Sequence, residues 1–483
     1  MTKKFFMVAI LLLVSIPLFA QSNPDSIPFA PAVNYVVGDA PGYVFCADLD
    51  GDTDLDLAVA NYWSDNVSIL KNNGDGTFQS AVNYGAGDGA TYVFCADLDG
   101  DTDLDLAVAN WNSGNVSILK NNGDGTFQGP VNYVAGVYPR WVFCADLDGD
   151  GDLDLAVANT GSNNVSILKN NGDGTFQTKV DYSAGNVPRS VFCADLDGDM
   201  DLDLAVSNQG SHDVSILKNN GDGTFQTAVN YGTGDYPRSV FCADLDGDLD
   251  LDLAVANAGG DNVSILENNG DGTFQAKVDY GTGAGPWFAF CADLDGDTDL
   301  ELAVANYYSD KVSILKNNGD GTFQTAVNYG AGDSVISVSC ADLDGDGDLD
   351  LAAANTGSDN VSILSNQTIL LDVEEDKEDE QINSFSLAQN YPNPFNLSTT
   401  ILFHISCKGQ DASCKTPIHT TLTIYNIRGQ RVRTLMDENK LPGEYKIIWD
   451  GKDDSGKEVG SGIYFYLLKT KDYKESKKMI LLK

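Results

Sequence analysis

Histidine is scarce in this chain: His212, His404 and His419 are the three among 483 residues, and none sits in a repeated motif. No repeated motif can therefore supply a histidine to a zinc or copper centre. The nucleophile elbow G-x-S-x-G and the zinc-protease motif H-E-x-x-H are missing, so common hydrolase signatures are absent. Basic side chains are also few, 29 against 71 acidic ones, for a formal net charge of −42. Such an excess disfavours nucleic acid, whose phosphates need Lys and Arg, and anionic lipid. Beyond the N-terminal segment no apolar run is long enough to cross a bilayer as a helix.

Apolar content is nonetheless 42%, too high for a wholly disordered chain, and the length fits two to four domains. Lys3 and Lys4 precede an apolar run over 5–19, followed by small Ala20 and polar Gln21. That order is the pattern of a secretory signal over 1–20, cleaved after Ala20; a short membrane anchor is the alternative. The run is shorter than the ~20 residues of a spanning helix. The mature protein is expected to be exported, at the cell surface or extracellular, with no transmembrane helix after signal cleavage.

One unit recurs seven times. Cys46, Cys95, Cys144, Cys193, Cys242, Cys291 and Cys340 stand 49 residues apart without drift, and V-[ND]-Y, D-L-D-G-D and V-S-I-L recur with them. A fixed period of this size marks a solenoid or a propeller. In the first unit, four short runs over 43–49, 56–62, 66–71 and 78–84 are rich in Val, Ile, Phe and Tyr and punctuated by Gly, Asn and Asp. They read as strands, and no unit holds a helical period. Four strands repeated seven times predict an all-β, seven-bladed β-propeller over 24–371. Six units carry N-N-G-D-G-T-F before the fourth strand, whereas the seventh stops at 365–367 without one. The missing piece lies at the other end, where 28–35 (PFAPAVNY) aligns with 77–84 (TFQSAVNY). The N-terminal strand can thus close the ring by filling the open edge of the last blade. Seven equivalent cysteines cannot all pair, and burial as small apolar residues is expected.

Between the first two strands of every unit, acids stand at alternate positions. They are Asp48, Asp50, Asp52, Asp54 and Asp56, then Asp97, Asp99, Asp101, Asp103 and Asp105, then Asp146, Asp148, Asp150, Asp152 and Asp154. Asp195, Asp197, Asp199, Asp201 and Asp203 follow, then Asp244, Asp246, Asp248, Asp250 and Asp252. The last two sets are Asp293, Asp295, Asp297, Asp299 and Glu301, and Asp342, Asp344, Asp346, Asp348 and Asp350. A pair of such charges ~4 Å apart repels by about 4 kcal/mol at an effective dielectric near 20. Hard oxygen ligands at this density suit calcium, up to seven ions; no His or Cys joins them to favour zinc or copper. By analogy with known calcium loops, positions 1, 3, 5 and 9 offer side chains and position 7 its carbonyl. A solvated acidic turn without metal is the alternative.

The run ADLDGDxDLDLAVAN, with N-N-G-D-G-T-F downstream, resembles the FG-GAP/VCBS repeats of integrin-α-like propellers over 28–371. The resemblance implies calcium held by a D-x-D-x-D-x-x-x-D loop between the first two strands of a blade. Two departures stand out: Glu301 at a ninth position, and a glycine after the third acid only at Gly151 and Gly347. Thr53, Thr102, Met200, Leu249 and Thr298 replace it, so the tight turning is expected from Gly51 and its equivalents.

The loops between strands two and three, with the connections between units, vary most. They carry Trp63, Trp111, Tyr138, Arg140, Trp141, Arg189, Arg238, Trp287, Tyr307 and Tyr308. Aromatics and arginine anchor interfaces, and aromatic faces suit sugars, so a ligand face centred on the second to fifth blades is expected. The same aromatics would also serve to pack neighbouring blades.

Residues 372–384 hold seven acids and one Lys and read as a solvated linker. Over 385–483 the balance reverses to fifteen basic and ten acidic residues. Alternating runs at 399–405, 420–427, 445–449 and 462–469 suggest a small Ig-like β-sandwich. The segments FSLAQNYPNPFNLSTT, IYNIRGQRV and SGIYFYLLKT closely resemble the C-terminal sorting domain of the type IX secretion system and are similar to the Ig-like domain of flagellar hook-cap proteins. The resemblance implies type IX secretion machinery as a partner; a purely structural sandwich is the alternative. Cys407 and Cys414 flank a short polar segment where a disulfide fits an exported domain.

These readings predict an exported, calcium-stabilised binding or adhesion module for an unknown extracellular protein or glycan ligand, and not an enzyme. A near-match to a phosphate loop at 451–458 has Glu458 in place of the required hydroxyl. Near-identical units favour a scaffold, because catalysis needs residues that occur once. A polysaccharide hydrolase or lyase with its site on the variable face, and a structural surface-layer component, are the other readings.

Overall fold

Each 49-residue unit forms one four-stranded antiparallel sheet in the computed structural model of the chain. The structure describes residues 27–368, 386–387, 399–405, 417–426, 431–454, 456–457, 459, 462–471 and 474–481. The expected signal over 1–20, the linker over 372–384, and Cys407 and Cys414 lie outside them. Two units, Met1–Asp372 and Val373–Lys483, make up the chain. Among the described residues no helix is long and apolar enough to cross a membrane.

In sheet 1 the strands are Pro41–Ala47, Asp56–Asn61, Asn66–Leu70 and Val82–Gly85, paired in chain order. Sheets 2 to 6 repeat this order. Sheet 7 draws three strands from its own repeat, Val335–Ala341, Asp350–Asn355 and Asn360–Leu364. Its fourth is Val33–Val36, where Val33 pairs with Ile363 and Val36 with Asn360. The N-terminal segment therefore joins the last repeat, as its alignment with 77–84 implied. Every sheet is open-edged; none closes on itself.

Strands two and three, D-L-A-V-A-N and N-V-S-I-L, are buried at all but one position because neighbouring sheets cover both faces. Their apolar runs are nearly continuous for that reason. The polar residues inside pair with one another: Asn61 Nδ2 donates to Ser68 Oγ at 2.8 Å, and that hydroxyl donates to Asn83 Oδ1 at 2.7 Å, while Asn61 Oδ1 is buried without a partner among the described residues. Strand four is a short exposed edge whose Tyr84 packs edge-on against Phe127 of the next unit, 5.3 Å between centroids.

One side-chain hydrogen bond stitches each unit to the one before. Asn121 Nδ2 donates to the Leu49 carbonyl at 2.8 Å, and the same bond, 72 residues long, recurs up to Asn366 and Leu294. It also joins the first unit to the seventh, where Asn72 Nδ2 donates to the Leu343 carbonyl at 2.8 Å.

Several strand boundaries differ from the sequence reading, and two of the differences have a visible cause. The first strand ends at Ala47 rather than at residue 49, because the Asp48 carboxylate already folds the chain by accepting from Gly51 N (2.8 Å) and Thr53 N (3.0 Å). The fourth begins at Val82 rather than at residue 78; Phe78 makes only an isolated bridge to Asn72, its ring buried edge-on against Tyr35. The seven repeat cysteines are free thiols, buried apart from half-buried Cys46 and Cys340. Burial pushes the Cys46 thiol up to about 12.

The C-terminal unit has two sheets over one core. One orders Arg431–Lys440, Ile418–Asn426, Gly462–Lys469 and Lys474–Leu481; the other orders Ser386–Leu387, Thr399–Ile405 and Gly443–Trp449. Trp449, Ile401, Leu422 and Tyr466 are fully buried between them. Strands Ser386–Leu387, Arg431–Lys440 and Lys474–Leu481 are additional to those read from the sequence.

Candidate metal centres and ligand face

The acidic loop joins strands one and two, and the N-N-G-D-G turn joins strands three and four. In the first loop each carboxylate has its own environment. Asp48 caps the two amides given above, and Asp52 Oδ1 accepts from Asp54 N at 3.0 Å. Asp56, 1% exposed at the start of strand two, accepts from Leu49 N at 3.2 Å and Asn72 N at 2.8 Å. The Asp54 carboxylate lies against the N-N-G-D-G turn, where a Cβ placed on Gly74 would meet its Oδ2 at 2.6 Å.

Carboxylate oxygens of Asp48, Asp50 and Asp56 converge within 4.8 Å, as do those of the first three acids in loops two to five. Asp50 Oδ2 pairs with Lys71 Nζ at 2.8 Å. Its Oδ1 is buried with no hydrogen-bond partner among the described residues, and so are those of Asp99, Asp148, Asp197 and Asp295. A buried anionic oxygen without a donor is costly, and an all-oxygen cluster with such orphans fits a hard divalent cation.

The turn needs two left-handed residues, not one. Gly51 has φ 77° and Thr53 φ 78°; Thr102, Met200, Leu249 and Thr298 likewise lie at 75–81°. Gly51 therefore does not relieve the position after the third acid.

Burial raises the ninth-position acids, with neighbouring loop carboxylates adding and backbone donors opposing. Asp56, Asp105, Asp154 and Asp203 rise to about 6, and Asp252, Asp350 and Glu301 to about 7. Glu301 reaches Leu294 N at 2.9 Å but Asn317 N only at 3.4 Å, so the longer side chain loosens one bond.

Sequence reasoning missed the lysine that follows V-S-I-L. Lys71, Lys120, Lys169, Lys218 and Lys316 each pair with the second acid of their loop. The fifth unit has Glu267 there and the seventh Ser365. The signal was a lysine at the same place in five of the seven periods.

The structure gathers much of the expected ligand face around the starts of the first strands of the sheets. Arg140, Arg189, Arg238 and Trp287 rim a small pit there. The Arg238 guanidinium carbon lies 4.1 Å from the Trp287 ring centroid and that of Arg140 5.8 Å from it. Trp111 stacks on Tyr138 at 5.1 Å with Arg189 over it at 5.7 Å, and Trp287 stacks on Tyr307 at 4.7 Å. Tyr308 is exposed and meets Tyr307 edge-on. Trp141, 9% exposed, is a floor residue, packed on Tyr92 and Phe288. Trp63, 70% exposed, stands apart against Tyr62. The floor residues Tyr43, Tyr92 and Phe288 gave no signal, since each reads as an ordinary strand residue.

Six overlapping stretches, 48–108, 97–157, 146–206, 195–255, 244–304 and 293–353, match the FG-GAP-like repeat, and 411–472 match the FlgD Ig-like domain. No curated protein matches the chain. BBS1N, solved in complex with ARL6DN, is similar at 15% identity and TM-score 0.52, over 70% of this chain and 97% of that one. PorZ of Porphyromonas gingivalis, an essential bacterial surface component of the type IX secretion system, is similar at 13% identity and TM-score 0.44, over 90% and 58%. The periplasmic gluconolactonase PpgL of Pseudomonas aeruginosa is similar at 17% identity and TM-score 0.46, over 60% and 86%. The first likeness speaks for a β-propeller fold alone; the other two carry no argument about activity.

Proposed function

Since the chain belongs to the FG-GAP-like repeat family, we propose that its repeats form a closed seven-bladed propeller, stabilised by calcium, that acts as an exported, non-enzymatic binding module. The bond from Asn72 to Leu343, repeating the one between all successive units, supports closure. The orphaned Oδ1 atoms amid converging acids are the single observation that carries calcium. Asp48, Asp50, Asp52, Asp56 and the Asp54 carbonyl would hold the ion in the first blade, and their equivalents in the others. When bound, calcium supplies the positive charge that lets these acids share one tight loop. Leu49 of that loop accepts the stitch from Asn121, so fixing the loop also fixes the seam between blades.

Extracellular calcium modules have dissociation constants of ~10⁻⁴–10⁻³ M, so ~1 mM calcium adds roughly 0.4–1.4 kcal/mol per site. Seven sites give roughly 3–10 kcal/mol, the scale of a domain's whole stability. Delivery to the cell surface by type IX secretion rests on the sorting-domain motifs of the sequence; the match at 411–472 speaks for an FlgD Ig-like domain alone. The test screens the mature chain against glycans and extracellular proteins, with turnover assays alongside. Capture that vanishes in EGTA and returns with calcium supports a binding module; polysaccharide turnover would replace it with an enzyme.

A further inference from the structure

Resting on the binding-module reading, the geometry points to an oxyanion site at the mouth of the pit, where Arg140, Arg189 and Arg238 take a carboxylate, sulfate or phosphate group of the ligand. These are the only arginines among residues 27–368, and they occupy the same strand position in three consecutive units. The other units have Gly42, Thr91, Trp287 and Ile336 there. Arg140 and Arg238 share one tryptophan ring, so their guanidinium carbons are no farther apart than the ~10 Å Debye length of 0.1 M salt. Among the described residues no carboxylate pairs with any of the three, although acids exceed bases by 42 in the whole chain. Guanidinium keeps its proton, so repulsion among these half-buried cations calls for a counter-charge.

Unused donors point the same way. Arg238 Nε, Trp141 Nε1 and Trp287 Nε1 are buried with no hydrogen-bond partner among the described residues. Arg189 spends its Nε on Gln209, which leaves the terminal nitrogens of its fork. Burial, then mutual repulsion, lowers Arg189 to about 8 and Arg140 to about 10. The cavity holds about 20 Å³, room for one or two water-sized groups. It therefore admits an anionic tip and not a sugar ring, whose body would lie on the Trp111–Tyr138 and Trp287–Tyr307 stacks. Planar forks around one point suit bidentate oxyanion recognition.

The mature chain, with calcium, is titrated calorimetrically with sodium sulfate, phosphate and glucuronate at constant ionic strength, with glucose as the neutral reference. At least one anion should bind where chloride and glucose do not, and the strongest identifies the group. Arg189→Met and Arg238→Met should each weaken it at least tenfold with the calcium titration unchanged. Independently of any variant, that anion should protect Arg140, Arg189 and Arg238, but not Arg431, from phenylglyoxal in the wild type. No binding above chloride, equal binding by the variants, or no protection overturns the site. Anion binding by a chain that captures no glycan or protein would sink the binding-module reading and leave this site standing. Capture of a ligand with which none of the anions competes would do the reverse.

Discussion

Replacing Asn72 by alanine removes three hydrogen bonds where the first repeat meets the seventh. Its Nδ2 donates to the Leu343 carbonyl at 2.8 Å and the Leu55 carbonyl at 3.1 Å, and its Oδ1 accepts from Gly74 N at 3.0 Å. The residue is 4% exposed, so water does not readily take over. A buried carbonyl left without its donor costs about 1–3 kcal/mol, and a bond at a partly wet edge about 0.5–1.5 kcal/mol. The whole substitution should therefore destabilise by roughly 3 kcal/mol. Asn219, in mid-array, makes the same bonds to Leu147 O, Leu202 O and Gly221 N at 2.8, 3.0 and 3.1 Å. In a closed ring the two seams are equivalent, and urea unfolding in calcium should give losses that agree within ~0.5 kcal/mol. In an open array the first and last repeats are ends, coupled only to one neighbour each. Asn72→Ala would then lose only its bonds to Leu55 and Gly74 within its own repeat and lower the urea midpoint clearly less than Asn219→Ala, and that pattern would refute closure.

Stability should depend on pH with opposite signs in the two metal states. The ninth-position acids are raised to about 6–7, above their unfolded values, so in EGTA ionisation opposes folding. The melting temperature should accordingly rise as pH falls from 8 towards 5; in calcium it should fall, because protons compete for the ligands. Parallel slopes would show that these acids do not bind metal. Glu267→Lys should weaken the tightest calcium step seen by calorimetry about tenfold, by placing a cation beside Asp246 as in the other lysine-bearing loops; an unchanged isotherm contradicts this. Leu249→Gly, at an 86% exposed position with φ 78°, should stabilise by up to about 1 kcal/mol in chemical denaturation, since relief of left-handed strain exceeds glycine's entropy cost. A loss of stability would place the strain elsewhere.

Much of the repeat fold was legible because its period is unbroken: the offset of the fourth strand and the spare N-terminal V-N-Y already implied the pairing of Val33–Val36 with the last repeat. The length of that fourth strand was not legible, because Phe78 looks like a strand residue while its side chain closes a turn against Tyr35. In the C-terminal unit, Lys474–Leu481 is a lysine-rich edge strand with little apolar alternation to mark it. Arg431–Lys440 hides its alternation behind two register shifts against its partner. The acidic loops were readable residue by residue, since all their members lie within nine positions. The arginine pit was readable only as a set of variable residues. Its convergence depends on which strands of distant repeats face one another, as Arg140 and Trp287 do across 147 positions of sequence.

The most direct test is elemental analysis of the purified mature chain, dialysed at millimolar calcium, joined to its melting curve with and without excess EGTA. Close to seven calcium ions per chain, with a large fall in melting temperature on chelation, is the predicted result. A chain that retains no calcium and melts unchanged in EGTA would contradict the account at its root.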